Sequence, residues 1–359
     1  MSTSGMRWWF IGGHALEMHL GRRWRDHDDI DVGVCRVDLD ALVPLLGEWE
    51  IHVAAAGVLR RWDGGSLASE RHENNLWFKR PNGPWRLDMV IGDGNNDSWA
   101  FRRDPTFRLP WDLAVRSTAG RTAYLTPALQ LLFKSRGLRP KDHVDAAEVF
   151  PELDEWGIAL LDVRLRGDHP WRPLIEAHRQ EFAAADVIDS LDTLSAAGVD
   201  AWVDGGWGVD ALLGEQTRAH ADLDLALPTR QWARAHEALH AQSFTVVRRD
   251  GLHNVVLLDR RGRLVDLHAF DDTTTVVGID GIEYHGPDGL AYEAGGFDGV
   301  GLIAGRSVAC MSAAFQVRSH TGYDVDDDDW HDVRHLHERF GLLIPSDYDR
   351  WTTAPEKES

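Results

Sequence analysis

Two short stretches carry the same chemistry-bearing residues at the same intervals. The first holds Gly12-Gly13 followed by Asp29 and Asp31; the second holds Gly205-Gly206 followed by Asp222 and Asp224. From the second glycine to the first aspartate the interval is 16 residues in both, 13 to 29 and 206 to 222. Two acids at i and i+2 of a strand project from one face, so their carboxylates can share hard cations such as Mg²⁺. Asp88 and Asp266 follow, each alone in an apolar strand, where an unpartnered charge would be costly. They are the candidates for a third ligand or a general base. Upstream, the double glycine admits a phosphate close to the backbone, and the helix start behind it offers free N–H groups. Together these parts suit in-line nucleotidyl transfer, with a metal-bound triphosphate beside an activated hydroxyl. Asp-x-Asp alone says little, since Asp38/Asp40, Asp324/Asp326 and Asp347/Asp349 also match it. The information lies in its recurrence, with the same flanks, 193 residues later (Asp29 to Asp222).

The elements that must position these residues can be read from the pattern. A strand is expected near Arg7–Ile11, broken by Gly12-Gly13, with Ala15, Leu16 and Leu20 on the inner face of the next helix. Ile30, Val32 and Val34 alternate with Asp29, Asp31 and Gly33, the period of a half-buried strand. Leu39–Trp49 reads as helix, and Ile51–Leu59, Leu76–Lys79 and Arg86–Ile91 as strands, with Gly92–Asn96 a loop. Thr126-Pro127 opens a helix through Phe133, and further helices are expected over Asp142–Leu153 and Trp156–Val163. Arg166–Pro173 is the candidate linker. The second copy adds a leading helix marked by Val187, Leu191 and Leu194. It then repeats the series: the Trp202 strand, the Gly-Gly turn, the Asp-x-Asp strand, helix Gln231–Ala241, and strands Phe244–Arg248, Asn254–Asp259 and Arg263–Ala269. Gly281–Gly305 reads as hairpins and loops, and Ser312–Ser319 begins the closing helices. The residues after Pro345 read as a poorly ordered tail.

Composition bounds the function. The chain has 359 residues, 43% of them apolar, with 16 Trp, which suits two folded domains. A net charge of −20 argues against a general nucleic-acid binder and fits a small amine-bearing partner, or an anion brought in with metal. Two distant cysteines, Cys35 and Cys310, offer no disulfide framework. Met1–Met6 lacks the features of a signal peptide, and no apolar run approaches ~18 residues, so the expected setting is cytoplasmic with no membrane role. His331 and His335 are one helical turn apart, but no strong third ligand accompanies them, and a solvated helix face is the plainer reading.

The motifs resemble the DNA polymerase beta-like nucleotidyltransferase superfamily: Gly-Gly, then Asp-x-Asp, then a third acid. Asp204–Asp210, Arg218-x-His220-x-Asp222-Leu223-Asp224, Val265–His268 and Ser319–Asp324 look like the lincosamide nucleotidyltransferases. Gly12–Leu16, Arg25-x-His27-x-Asp29-Ile30-Asp31, Leu87-Asp88 and Pro127–Asp142 look like aminoglycoside 2''-adenylyltransferase-type domains. The resemblance implies an α+β protein of two tandem domains, each a small mixed sheet with helices followed by a helical segment. The expected bounds are 1–173 and 174–345, with a tail over 346–359. It also implies the roles. Asp222, Asp224, Asp29 and Asp31 hold Mg²⁺. Asp266 and Asp88 are catalytic, as third ligand or base. Gly205, Gly206, Arg218, Gly12, Gly13 and Arg25 bind the nucleotide, ATP or another NTP. The implied reaction moves AMP to a hydroxyl of a small molecule, of the lincosamide or aminoglycoside kind. The alternatives are nucleotidylation of a protein or RNA, as in toxin-like members, or one copy that binds nucleotide without catalysis. The first copy departs in lacking the leading helix, in carrying His14 where the second has Trp207, and in a longer run to its third acid. These departures favour the second site.

Overall fold

Each Gly-Gly pair lies where a short apolar strand turns into a helix. In the computed structural model these are Trp8–Phe10 into Gly12–Leu20 and Trp202–Val203 into Gly205–Leu213, both helices nine residues long. The structure describes residues 6–352 except 43, 45, 46, 252, 287 and 288. Residues 1–5 and 353–359 of the expected termini therefore lie outside the described residues, as do three positions of the expected Leu39–Trp49 helix and two of Gly281–Gly305. The chain divides into two units, Met1–His178 and Arg179–Ser359. The division falls a few residues beyond the expected boundary at 173/174, because Trp171 and Ile175 are buried in the first unit's helical part.

The two sheets share one topology. In the first unit the strand order is Glu50–Ala55, Asn75–Lys79, Trp85–Gly92, Ile30–Cys35, Trp8–Phe10, Ala123–Leu125 and Val115–Ser117, with one extra edge strand, Val58–Arg61. In the second it is Thr245–Arg249, Asn254–Leu258, Leu264–Phe270, Asp222–Pro228, Trp202–Val203, Arg306–Cys310 and Gly299–Ile303. Every neighbouring pair has the same orientation in both. In particular the Asp-x-Asp strand runs parallel to the third-acid strand and antiparallel to the strand before Gly-Gly. The longer run from Asp31 to Asp88 is accounted for by the extra edge strand and the loop after it. The expected single strand Ile51–Leu59 is a hairpin instead, because Ala56 and Gly57 take positive φ.

What covers the sheets differs. In the second unit Val187 and Leu194 of helix Ala184–Ala196, with Ala235 and Leu239 of helix Trp232–Ala241, close over Leu223, Leu225, Val255, Leu257, Val265 and Leu267. Each fully buried Leu or Val contributes roughly 1.5–3 kcal/mol. In the first unit the matching face, Val32, Val34, Ile51, Val53, Met89 and Ile91, is met by Leu39, Leu42, Trp62 and Leu67 from turns and loops. The expected Leu39–Trp49 helix is a 3-10 turn over Arg36–Ala41. A hairpin of Ser98–Phe101 and Asp104–Pro110, unforeseen in the sequence, follows the third-acid strand. The expected tail is partly built into the fold. Tyr348 is fully buried and donates to the His320 carbonyl at 2.6 Å, and Asp349–Thr352 is helical. Among the described residues no helix is long and apolar enough to cross a membrane.

Candidate active sites

In the second unit Asp204 caps the helix, its carboxylate accepting from Gly205 N at 2.9 Å. Gly205 sits at φ +57°, and a Cβ there would collide with Oδ2 of Asp224. A Cβ on Gly206 would collide with the Arg218 guanidinium and crowd His220. The double glycine is thus required by what packs onto the helix start: the second acid of the pair and the Arg-x-His ahead of it. His220 Nε2 is 2.5 Å from Oδ2 of Asp210, both buried, and its ring lies 4.7 Å from that of Trp207.

The first unit repeats this. Gly12 sits at φ +69° with Asp31 Oδ2 in the place of a Cβ, and Gly13 faces Arg25 and His27 in the same way. His27 Nε2 lies 3.0 Å from Glu17, one helical turn after Gly13, as Asp210 is after Gly206. His14 stacks on His27 at 4.1 Å, the position Trp207 takes on His220, so that departure preserves the packing. Ile11 supplies no cap carboxylate, and Gly12 N donates instead to Gln130 Oε1 at 2.8 Å.

The third acids meet the pairs in register. Asp31 is opposite Asp88 and Asp224 opposite Asp266 across parallel strands, so each pair shares one face. Asp29 and Asp222 are exposed, while their partners are withdrawn from solvent. Burial, then the charges of Asp29 and Asp88, pushes Asp31 up to about 6. Burial also raises Asp88, with Asn75 opposing the rise by donating to its carboxylate at 3.0 Å. Burial and Asp222 hold Asp224 well above the usual carboxylate range. Clustered carboxylates that resist ionisation together call for a cation. In the second unit, ligand atoms of Asp224, Asp266 and His268 all lie within 4.8 Å of one another, and Asp266 Oδ1 is buried without a hydrogen-bond partner. That donor set fits a divalent metal, which Asp224 and Asp266 with the neighbouring Asp222 would hold. In the first unit Asp29, Asp31 and Asp88 are the acids that would serve.

The arginines take positions the sequence did not foretell. Arg25 makes a bidentate pair with Asp145 at 2.8 and 3.0 Å, and Arg218 makes one with Asp332 at 2.9 and 2.7 Å. Both acids are fully buried, on helices Pro140–Val149 and Asp327–Phe340. Each arginine lines its cavity but has its charge matched, so it acts as a strut tying the Asp-x-Asp loop to the helical segment. Lys134 Nζ joins the first strut at 3.0 Å from Asp145, and His320 stands 3.9 Å from Asp332 in the second. The sequence reading missed Asp145 and Asp332; the one available signal was a repeated acid among helical residues. It also missed Tyr292 and Asn75, which act across long sequence separations.

The cavities differ. That of the first unit is about 700 Å³, with Gly12, Gly13, Asp29, Asp31 and Asp88 on one side and Arg102, Arg103, Arg136 and Lys141 also lining it. That of the second is about 330 Å³ and more acidic, with Asp204, Asp222, Asp224 and Asp329 beside Tyr323. The first unit's cavity is thus the larger of the two and carries its three acids on one side. Among the described residues, His331 and His335 are not part of a three-ligand cluster.

Residues 186–336 match the family model described as aminoglycoside-2''-adenylyltransferase. That model falls on the second unit, whose motifs resemble the lincosamide enzymes. A lincosamide resistance protein of Staphylococcus haemolyticus is 26% identical over 150 residues, 41% of this chain and 89% of that protein. The lincomycin-bound structure of the lincosamide antibiotic adenylyltransferase LnuA is 23% identical, covering 44% of this chain and 98% of its own, with a TM-score of 0.38. ANT(2'')-Ia in complex with adenylyl-2''-tobramycin is 19% identical, covering 43% and 87%, with a TM-score of 0.34.

Proposed function

We propose that this chain is a nucleotidyltransferase that moves AMP from ATP to a hydroxyl of a small, amine-bearing molecule of the lincosamide or aminoglycoside kind, a reading the family model over its second unit supports. The observation that carries the reading is the register that sets Asp88 beside Asp31 and Asp266 beside Asp224, at the start of a Gly-Gly helix, in both units. The relatives named for lincosamide and aminoglycoside chemistry support the acceptor class, and the acidic second cavity suits an ammonium-bearing acceptor.

The residues divide the work. The helix starts at Gly12-Gly13 and Gly205-Gly206 present backbone N–H groups to a phosphate. Asp29, Asp31, Asp222 and Asp224 are the ligands for the divalent metal, Mg²⁺ in the first unit, and Asp88 and Asp266 take the proton of the acceptor hydroxyl. Bound Mg²⁺ would supply charge neutralisation at the attacking and leaving oxygens. Arg25 and Arg218 keep the Asp-x-Asp loops fixed while this happens. Cytoplasm, where ATP is abundant, is the setting this implies.

Incubation with Mg-ATP and a panel of lincosamides and aminoglycosides should release pyrophosphate and add one AMP to an acceptor, read by mass spectrometry. No adduct with any member of the panel would contradict the acceptor class. Labelling of a protein or RNA in a lysate by radioactive ATP would point to a macromolecular acceptor instead.

A further inference from the structure

We propose that the two units hold different metals: the second takes a cation that accepts nitrogen, of the Mn²⁺ kind, with His268 Nε2 as a ligand beside Asp224 and Asp266, whereas the first offers oxygen alone. The inference rests on reading these acids as metal ligands but not on any acceptor. Asp266 and His268 are i and i+2 on strand Leu264–Phe270 and share a face. His268 Nε2 is 3.5 Å from Asp266 Oδ1 and 3.9 Å from Asp224 Oδ1. Donors about 2.0–2.2 Å from one ion stand roughly 3–3.5 Å apart, so a small adjustment closes this set on a metal.

The ring is held for that purpose from behind. Tyr292 O–H donates to Asp204 Oδ2 at 2.8 Å. The Tyr292 oxygen is then the acceptor for His268 Nδ1–H at 3.0 Å. That bond directs Nε2 at the carboxylates of Asp266 and Asp224, where a cation would find all three donors. Asp204 is itself fixed by Gly205 N, so the support runs from the helix start through Asp204 and Tyr292 to His268. Metal-ligating histidines have outer partners of this kind.

The first unit lacks the histidine and the cap carboxylate. Val90 occupies the place of His268, two residues after the third acid, and Ile11 that of Asp204. Asn75 donates to both oxygens of Asp88 at 3.0 and 3.3 Å. An oxygen-only set suits Mg²⁺, whereas imidazole suits transition metals.

The test uses the full chain and Mn²⁺ alone, read by pulsed electron paramagnetic resonance. With the first site silenced by Asp29→Asn and Asp31→Asn, bound Mn²⁺ should show coupling to a ¹⁴N nucleus. His268→Gln should abolish that coupling and weaken Mn²⁺ binding at least about tenfold, and Tyr292→Phe should weaken it about tenfold. With the second site silenced by Asp222→Asn and Asp224→Asn, the remaining Mn²⁺ should show no nitrogen coupling until Val90→His introduces it. Oxygen-only Mn²⁺ in the second site, coupling that survives His268→Gln, or no Mn²⁺ binding there would overturn the proposal. In that last case His268 is an imidazolium ion-paired with the acids. If His268→Gln fails to fold, Tyr292→Phe and Val90→His still decide the matter. Nitrogen-coupled Mn²⁺ without any AMP adduct would sink the proposed acceptor chemistry and leave this inference standing.

Discussion

At the residue scale, the glycines, aspartates and their neighbours form one packed unit. Gly205→Ala must place a Cβ against Asp224 at a left-handed φ, so it should cost about 1–3 kcal/mol in urea unfolding and also displace the Asp224 carboxylate. Unchanged stability and transfer rate would show that this approach is not required. The raised carboxylates make a pH prediction. An acid whose folded-state value lies above its ordinary one holds its proton more tightly when folded, so the metal-free chain loses stability as pH rises through the interval between them. For Asp31 that interval runs from 3.8 to about 6. A bound cation removes the penalty, so the gain in melting temperature on adding Mg²⁺ should grow across this window and level off above it. Scanning fluorimetry at stepped pH reads it, and a gain independent of pH would contradict the assignment of Asp31 as a ligand. The isolated acids Asp88 and Asp266 could be found in the sequence because a charge within an apolar strand demands a partner. Asn75 and Tyr292 could not, because nothing local marks a side chain whose partner lies far along the chain.

At the element scale, two helices bear on each site: the short one after Gly-Gly and the later one carrying Asp145 or Asp332. The Arg25–Asp145 and Arg218–Asp332 pairs join the Asp-x-Asp loop to the later helix in each unit. Removing one member of a buried pair strands the other, so Asp332→Ala should destabilise the second unit by roughly 3–5 kcal/mol in calorimetry. Arg218→Met together with Asp332→Leu should recover much of that stability while leaving transfer impaired through a loosened loop. Equal stability of the single variant and the wild type would rule out the strut. Most strands flanking the sites were legible from alternation, as along Ile30–Cys35. The Leu39–Trp49 stretch misled because its apolar spacing fits a helix, while its start, among the described residues, lies in the 3-10 turn Arg36–Ala41. The Ser98–Pro110 hairpin was hidden by its polar turn, and the fold of Ser346–Thr352 by the polar residues around the buried Tyr348.

At the scale of the whole molecule, the duplication was legible because two identical intervals are hard to produce by chance. The departures of the first copy favoured the second site, and the matched family model also falls on the second unit. Among the described residues turns and loops cover the first unit's sheet where helices cover the second's, but its sheet order, its acid register and its Arg–Asp strut match the second, and its cavity is the larger. Both units should therefore be competent. Asp29→Asn with Asp31→Asn, and Asp222→Asn with Asp224→Asn, should each leave AMP transfer from the other unit, as seen in single-turnover product yields. Loss of all transfer from either pair would mean that one unit serves only as a binding domain. The central claim is that these carboxylates carry the transfer. The measurement that tests it most directly is the rate of AMP-adduct formation by the chain with Asp29, Asp31, Asp222 and Asp224 all changed to Asn, in parallel with the wild type. A fall of at least about 100-fold is predicted, as expected when a principal transition-state contact is removed; a rate equal to that of the wild type would contradict it.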